Sequence, residues 1–506
     1  MFNKLFPRAA QSNDAPTPSR DQAAPVAPAA AEQLASLRAL VDTGDLEQAA
    51  QHCTAYLQRL PGDLDGLALL FRVALKQKSA GTSLPWFQAG LQFHPESATL
   101  HFMLGYLLIE TGETAAAIAC LEKSLQLDAS SAKTHNSLGS ALQILGKFDE
   151  ALQHYQAALA LDPDCWRASY NIGNMNKLFG RFEDAVAPFQ RALEARRGLD
   201  AKLSEIDVDD PRVTYSKLLH DSEQLHYLAQ HGLLQGRADP AIDAYRQAMA
   251  SPALEMGAQL SSQPAEVRAT IAPYYNRLLH FYDAPALSGG AINQDQDWQA
   301  IAQNYASNGP GMTYFDNFLK PDALASLRRF CLESTIWFDF LYGAGYVGCT
   351  CEDGFICPLL AQIAEETKVA LQAVIGNHRL NGLWGYKYDS QQSGISTHAD
   401  FAAVNVNFWL TPDAANLAPE HGGLVVWDKE APMEWDFEQY NSRPDAIAEF
   451  LRLSSAREYV VPHRQNRVVL FNSNLFHRTD DYHFATGYEN RRINVTMLYG
   501  DRVQNR

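Results

Sequence analysis

The chain has 506 residues, more than a single hydrophobic core normally organises, so two or three domains are expected. Apolar and charged shares of 46% and 20% are those of an ordinary globular protein, and a formal charge of −17 speaks against nucleic acid or an anionic membrane surface as a partner. Seven scattered cysteines form no disulfide framework, no run is apolar enough to span a bilayer, and MFNKLFPRAA lacks a secretory apolar core, so a cytoplasmic protein is expected.

Residues 1–30 are rich in Ala, Pro, Ser, Gln and Asp and read as a disordered leader. Between 31 and 197 a 34-residue period takes over. Pro61, Pro95, Ala129 and Pro163 fall on it, as do Gly105, Gly139 and Gly173, then Gly112, Gly146 and Gly180, then Ala117, Ala151 and Ala185. Gly44 and Ala49 keep the same register two periods earlier. Small residues where two helices touch, with a helix stop closing each unit, mark tetratricopeptide repeats. GKFDEALQHYQAALALDP and GRFEDAVAPFQRALEARR are similar to that family's second helix. The second repeat, 62–95, keeps the spacing and little else. One hairpin cannot bury its face alone, so such repeats stack into a superhelix with a groove, which commonly holds peptide. Asn171 and Asn174 lie three apart on the groove-lining helix that begins near Trp166. Their amides either grip an extended peptide backbone or simply face solvent.

The period breaks after Arg197. Residues 198–305 read as an α-helical cap and connector, with a helical hairpin over 225–249, a helix over 264–282 and a loop at 288–296. A second domain, 306–506, opens with a short strand near Met312, a turn at Lys320 and Pro321, and an amphipathic helix; a helical run over 359–374 follows. Strands are predicted at 380–389, 397–410, 422–428, 458–463, 467–473 and 492–499. The stretch 430–455 carries a helix at 445–453 and reads equally as a lid or as decoration of the outer sheet. A helical half followed by a strand-rich half predicts a multidomain α + β chain: an N-terminal all-α tetratricopeptide superhelix, then a C-terminal double-stranded β-helix, or jelly roll, with flanking helices.

Chemistry concentrates in STHADFAAVNVNFWLTPD, 396–413. His398 and Asp400 stand at i and i+2 at the head of an apolar run, and side chains two apart on a strand share a face. His477 closes RVVLFNSNLFHR, 467–478, which reads as a strand ending at the histidine. Two histidines and one carboxylate with coordination positions left open are the ligand set of non-haem Fe(II) oxygenases. His421, His463 and His483 read as hydrogen-bonded structural or surface residues. Cys349, Cys351 and Cys357 lack a fourth ligand at zinc-finger spacing and read as ordinary thiols.

Residues 312–500 resemble the 2-oxoglutarate- and Fe(II)-dependent oxygenases, nearest the prolyl-hydroxylase-like branch. His398-Ala-Asp400 matches that family's ligand pair and His477 its distal ligand. Gly422-Gly423-Leu424 is similar to a small-residue turn between them, and Asp316-Asn-Phe-Leu319 to the domain's opening. The resemblance implies Fe(II), 2-oxoglutarate as cosubstrate and O2. It also implies a basic anchor for the cosubstrate's C5 carboxylate at Arg492 in Arg492-Ile-Asn494, helped by Tyr388. A buried carboxylate requires such a partner, and an Arg fork pairs with it in two places. Adjacent Arg491 and Arg492 must face opposite ways; Arg492 shares its face with Asn494 and Thr496 and is preferred, with Arg491 the alternative. Asn405 and Asn407 either line the same interior or are structural. Retention of Asp400 argues against halogenation, because halogenating relatives replace it with a small residue.

The leading expectation is a hydroxylase whose substrate is a protein or peptide captured by the repeats. A small-molecule oxygenase with repeats used for docking, and a non-catalytic repeat scaffold, are the alternatives.

Overall fold

Where a glycine replaces a larger residue on one helix, the partner helix can approach until a side chain sits on its backbone. The computed structural model describes residues 28–201, 212–234, 238–251, 261–262, 265–307, 309, 311–340, 345–390 and 394–502. It holds five antiparallel hairpins, α1 Pro28–Thr43 with α2 Leu46–Arg59, α3 Leu64–Gln77 with α4 Ala80–Phe93, α5 Ala98–Glu110 with α6 Thr114–Leu127, α7 Ala132–Ile144 with α8 Phe148–Leu161, and α9 Trp166–Leu178 with α10 Phe182–Arg197, and this rule sets the last three through Gly105, Gly139 and Gly173. A Cβ on Gly139 would stand 2.7 Å from the buried Tyr155 ring, so only glycine lets α7 meet α8 this closely. Each hairpin turns through one left-handed residue, at Gly44, Gly112, Gly146 and Gly180. The degenerate second repeat makes the same turn with Lys78, at φ 55°. Phe71 stands there in the place of the close-approach glycine, and its ring meets Phe87 edge-on at 6.1 Å. Asp63, Ser97 and Ser131 cap α3, α5 and α7 by accepting from the backbone amides of Gly66, Leu100 and Thr134.

The chain forms two compact units, residues 1–172 and 173–506. The 34-residue period therefore runs past the first unit, and the boundary falls inside α9. In the second unit α10 lies against α16 (Pro358–Ala370) and the short turn 351–353. Arg197 and Arg196 both donate to Asp353, at 2.9–3.2 Å, and Lys177 pairs with Glu352.

Between these elements stand β1 (Arg212–Val213) paired with β2 (Ser261–Ser262), then α11 (Tyr215–Gln230), α12 (Ala238–Met249), α13 (Ala265–Ile271) and α14 (Trp298–Ser307). The rest of the unit is β-rich. Its strands are β3 Met312–Phe315, β4 Tyr346–Thr350, β5 Leu380–Tyr388, β6 Val404–Trp409, β7 Leu424–Glu430, β8 Glu458–Val461, β9 Val468–Asn472, β10 Leu475–Thr479 and β11 Arg492–Tyr499. Six form one antiparallel sheet in the order β3-β9-β6-β11-β5-β4, and three form a second, β10-β7-β8. Among the helices, α15 is Pro321–Glu333, α17 Gln372–Ile375, α18 Phe437–Asn441 and α19 Pro444–Leu453. Every residue of β6, β9 and β11 is buried, as expected of central strands covered on both faces.

Several expectations need correction. The segment 467–478 is two strands, broken at Ser473 and Asn474, and the break sends β9 and β10 into different sheets. Only 404–409 of the predicted strand 397–410 is a strand; His398 makes a single bridge, to His477. The helix expected over 264–282 is the seven-residue α13, because Pro273 lacks an amide and disfavours helix in the residue before it. The helical hairpin begins at Tyr215 instead of 225. β4 was not expected, Gly348 and Cys349 within it hiding the pattern. The leader reading lies outside the described residues, except that 28–30 already belong to α1.

Candidate metal centre

His398, Asp400 and His477 come together although 79 positions separate the first and last. Strand alternation alone does not do it, since 399–403 is irregular. His398 and His477 instead exchange both backbone hydrogen bonds, at 3.0 and 2.8 Å, and the Asp400 amide donates to Ser473 O at 3.0 Å. The potential ligand atoms of the three side chains lie within 4.8 Å of one another. His398 Nε2 is 3.8 Å from Asp400 Oδ1, and His477 Nε2 is 3.4 Å from Asp400 Oδ2.

The other ring nitrogens decide what this cluster can do. His398 Nδ1 lies 2.8 Å from Ser396 O, and His477 Nδ1 lies 3.0 Å from Leu475 O. A carbonyl only accepts, so each Nδ1 carries a proton and each ring turns its Nε2 toward the carboxylate. With both rings neutral, two lone pairs and an anion in one spot repel one another unless a cation sits among them. Asn405 Nδ2 donates to Asp400 Oδ2 at 2.7 Å, orienting the carboxylate from behind. Burial, then His477 beside it, push the His398 pKa down to about 4 against the pull of Asp400, keeping its ring neutral near pH 7. For Asp400 burial works against the charge, but His477, His398 and Asn405 outweigh it and hold the carboxyl below its ordinary range.

A polar lining leads away from this cluster. Asn407 donates to Thr496 Oγ1 at 2.9 Å, Asn494 to the same oxygen at 3.4 Å, and Arg492 to Asn494 Oδ1 at 3.3 Å. Arg492 is 1% exposed. Its Nε and Nη2 donate to the carbonyls of Gly422 and Gly423, at 2.6 and 3.0 Å. The Gly-Gly turn is thus the seat of the guanidinium: Gly422 has φ 84°, and a Cβ on Gly423 would fall 1.9 Å from Val461 O. Tyr388 pairs with Arg492 across β5 and β11, its ring 4.7 Å from the guanidinium carbon, and its hydroxyl lies 3.4 Å from Thr479 Oγ1. Arg491 faces the other way and donates to Glu223 Oε2 at 2.6 Å.

Among the described residues no carboxylate is in ion-pair contact with Arg492; Asp480 acts on it only at longer range. Unpartnered buried polar atoms lie on residues around it: Trp409 Nε1, Tyr482 OH and both ring nitrogens of His463. The rings of Trp409 and Tyr482 lie 5.7 and 6.0 Å from the guanidinium, and that of His463 is 5.7 Å from Trp409. The His463 ring therefore departs from expectation, being neither hydrogen-bonded nor at the surface. Burial first, then Arg492 and Arg467, lower its pKa to about 3. Sequence reasoning missed His463, Trp409 and Tyr482; the one available signal was polar or aromatic residues in predicted strands and their ends. His421 and His483 are exposed, His421 lying 3.2 Å from Asp480.

In the repeats, Asn171 Nδ2 donates to Asn136 Oδ1 at 3.0 Å, so its amide is partly engaged; Asn174 is half-buried one turn further along α9. Cys349, Cys351 and Cys357 are buried, and burial drives all three pKa values upward.

Family models described as tetratricopeptide repeat match residues 98–131 and 136–200, the third to fifth hairpins. Similar solved structures include the crystal structure of MamA, at 23% identity over 31% of this chain and 93% of that one, TM-score 0.28. MamA from Desulfovibrio magneticus RS-1 is 18% identical over 34% and 98%, TM-score 0.29. YrrB, a tetratricopeptide protein with an unusual peptide-binding site, is 21% identical over 32% and 84%, TM-score 0.27. No curated protein matches the chain. The N-terminal region thus carries tetratricopeptide repeats, and a β-rich region of antiparallel sheets follows. No helix among the described residues is long and apolar enough to cross a membrane.

Proposed function

We propose that the chain is an Fe(II)- and 2-oxoglutarate-dependent dioxygenase that hydroxylates a side chain of a protein or peptide held by its repeats. The observation that carries this reading is the convergence of two Nε2 atoms and a carboxylate whose outer contacts fix that orientation. Two histidines and one carboxylate, with no fourth ligand among the described residues, suit iron that must keep positions open. Strand order supports a double-stranded β-helix. Along the chain β5, the His398 bridge, β6, β7, β8, β9, β10 and β11 fall in the large, small, large, small, small, large, small and large sheets.

With iron, 2-oxoglutarate and O2 bound, one oxygen atom passes to a substrate C–H bond and the other to succinate as 2-oxoglutarate loses CO2. The residues of the chain bind and orient. His398, Asp400 and His477 hold the metal, and Asn405 fixes the face that Asp400 presents. Arg492 takes the distal carboxylate, with Tyr388 beside it and the spare donors of His463, Trp409 and Tyr482 nearby. His477 and Thr479 stand two residues apart on one face of β10, a rise of about 7 Å. Because Thr479 touches Tyr388, this face of β10 leads from the residues that would hold the metal to those that would hold a distal carboxylate. Asn494 tethers Arg492 in that pose. Tetratricopeptide repeats support capture of a polypeptide, with Asn171 and Asn174 on the helix that would line the groove.

Succinate release from 2-oxoglutarate by anaerobically iron-loaded protein, on admitting O2, tests the reading. Iron-dependent turnover absent from His398→Ala and Asp400→Ala is expected. No turnover and no iron binding, with candidate polypeptides present, favours a protein-binding repeat scaffold, which the matched repeats support by themselves.

A further inference from the structure

The stretch 430–455, inserted between β7 and β8, is fastened beside the metal ligands. Its cluster of Tyr440, Ile447 and Leu451, with Trp435 and Phe450 at the margin, packs on Ala399 and Phe476. Ala399 lies between His398 and Asp400, and Phe476 immediately precedes His477. The contact is specific as well as apolar. Ala399 N donates to Tyr440 O at 2.9 Å, and Asn441 Nδ2 returns to Ala399 O at 3.3 Å.

One cation ties the pieces together. Arg502 donates through Nη2 to Ala431 O and Pro432 O, both at 2.7 Å, through Nη1 to Trp435 O at 3.2 Å, and through Nε to Asn474 Oδ1 at 2.6 Å. Its guanidinium carbon sits 4.1 Å from the Tyr440 ring centre, and its backbone amide donates to Phe401 O at 2.9 Å. Asn474 is in the turn that leads into β10 and His477, while Phe401 directly follows Asp400. A single residue therefore spans the insertion and both ligand-bearing segments, its side chain holding the insertion and the Asn474 turn and its backbone amide the Phe401 carbonyl. Only a planar fork with several donors meets four acceptors at once; a lysine cannot.

We propose that Arg502 is a positioning residue for metal binding and that 430–455 is a fixed clamp on the ligand segments, not a lid. This rests on the metal-site reading above. Loss of the fork frees the Asn474 turn and the Ala399 backbone, so the ligands no longer wait in place. Outer contacts of this kind commonly change metal affinity by about 10–100-fold.

The test is cobalt binding to the full-length chain, read by equilibrium dialysis and by the visible spectrum of the bound ion, with melting temperature measured alongside. Arg502→Ala and Arg502→Lys are expected to weaken binding at least about tenfold and to alter the spectrum, while Arg452→Ala on the exposed face of α19 matches wild type. Asn441→Ala, which keeps Arg502, serves if Arg502→Ala fails to fold and is expected to weaken binding in the same direction. Wild-type affinity and spectrum in Arg502→Lys and Asn441→Ala would overturn the clamp while leaving the metal site standing. A wild-type chain that takes up no cobalt, or takes it up equally as His398→Ala, would overturn the metal site and the clamp with it.

Discussion

The repeat array and the β-rich unit solve the same problem, burying apolar surface, with opposite use of the chain. In the array a residue meets partners about 16 positions away in its own hairpin, as Gly139 meets Tyr155. In the β-rich unit the decisive partners are far apart: His398 with His477, Arg492 with Gly422 and Gly423, and Asp316 with Arg467. An array built from neighbours tolerates a degenerate member, and the second repeat is one. A unit built from distant pairs can enclose polar groups that no local segment would hold. It therefore accommodates Arg492, His463 and Asp400 where an isolated hairpin could not.

The largest effect expected from that contrast is at Arg492. Its guanidinium is buried with no carboxylate in contact among the described residues, so an anionic ligand would gain two charge-assisted bonds from it, each about 1.5–3 kcal/mol. Arg492→Met should weaken 2-oxoglutarate binding by at least about a hundredfold, measured as loss of ligand-induced thermal stabilisation. Arg491→Met, which loses the contacts with Glu223 and Asp389, should keep that stabilisation. Equal loss in both would break the distinction between the two faces of β11.

His463 extends the comparison to pH. Its folded pKa of about 3 lies below its ordinary 6.5, so the unfolded chain takes the proton first as pH falls. The stability it contributes is complete above about pH 6.5 and is lost progressively down to about pH 3, in total up to roughly 4–5 kcal/mol. His463→Phe should flatten that acid limb in urea titrations of the β-rich unit. An unchanged acid limb would mean that the ring is not held neutral there.

What could be read beforehand follows the same division. The 34-residue period located all five hairpins, because each depends on residues within reach of one another. In the β-rich unit His398, Asp400 and His477 stood out as candidate ligands through their strand context and the oxygenase resemblance, since a His-x-Asp spacing alone is common, and alternation along one strand preferred Arg492 over Arg491. The break at Ser473 and Asn474 did not show, since VVLFNSNLF is apolar on either side and only pairing with Val404–Phe408 and with Leu424–Glu430 divides it. His463 was misread for a related reason. A histidine after Pro462 at the end of a predicted strand suggests a hydrogen-bonded or surface ring, and only the closure of Trp409 and Phe484 around it makes the site dry.

One substitution made in both regions sharpens the contrast at intermediate size. Gly423→Ala places a Cβ 1.9 Å from a backbone oxygen that cannot step aside, so destabilisation above about 3 kcal/mol is expected. Gly139→Ala meets the Tyr155 ring at 2.7 Å, and the strain is partly offset by about 1 kcal/mol of helix propensity, leaving a net cost of roughly 1–2 kcal/mol. Hydrogen exchange should find the second loss concentrated in α7, α8 and adjoining hairpins, and the first spread over both sheets. Comparable spread in the two variants would mean that the array unfolds as one piece.

The smallest expected effect probes the degenerate repeat. Lys78 holds the left-handed turn that glycine makes at the other four hairpins, and its backbone amide and that of Ser79 still close α3 by donating to Leu75 O and Ala74 O. A side chain in this conformation costs about 1 kcal/mol, part of which glycine gives back through its greater freedom in the unfolded chain. Lys78→Gly should therefore stabilise the array by roughly 0.5 kcal/mol, while Gly146→Lys should destabilise it by a similar or larger amount. If both changes leave the melting of the repeats where it was, the turn residue is not what the period conserves. The helix contacts around Phe71 and Phe87 would then have to be what lets the second hairpin depart from the pattern and still fold.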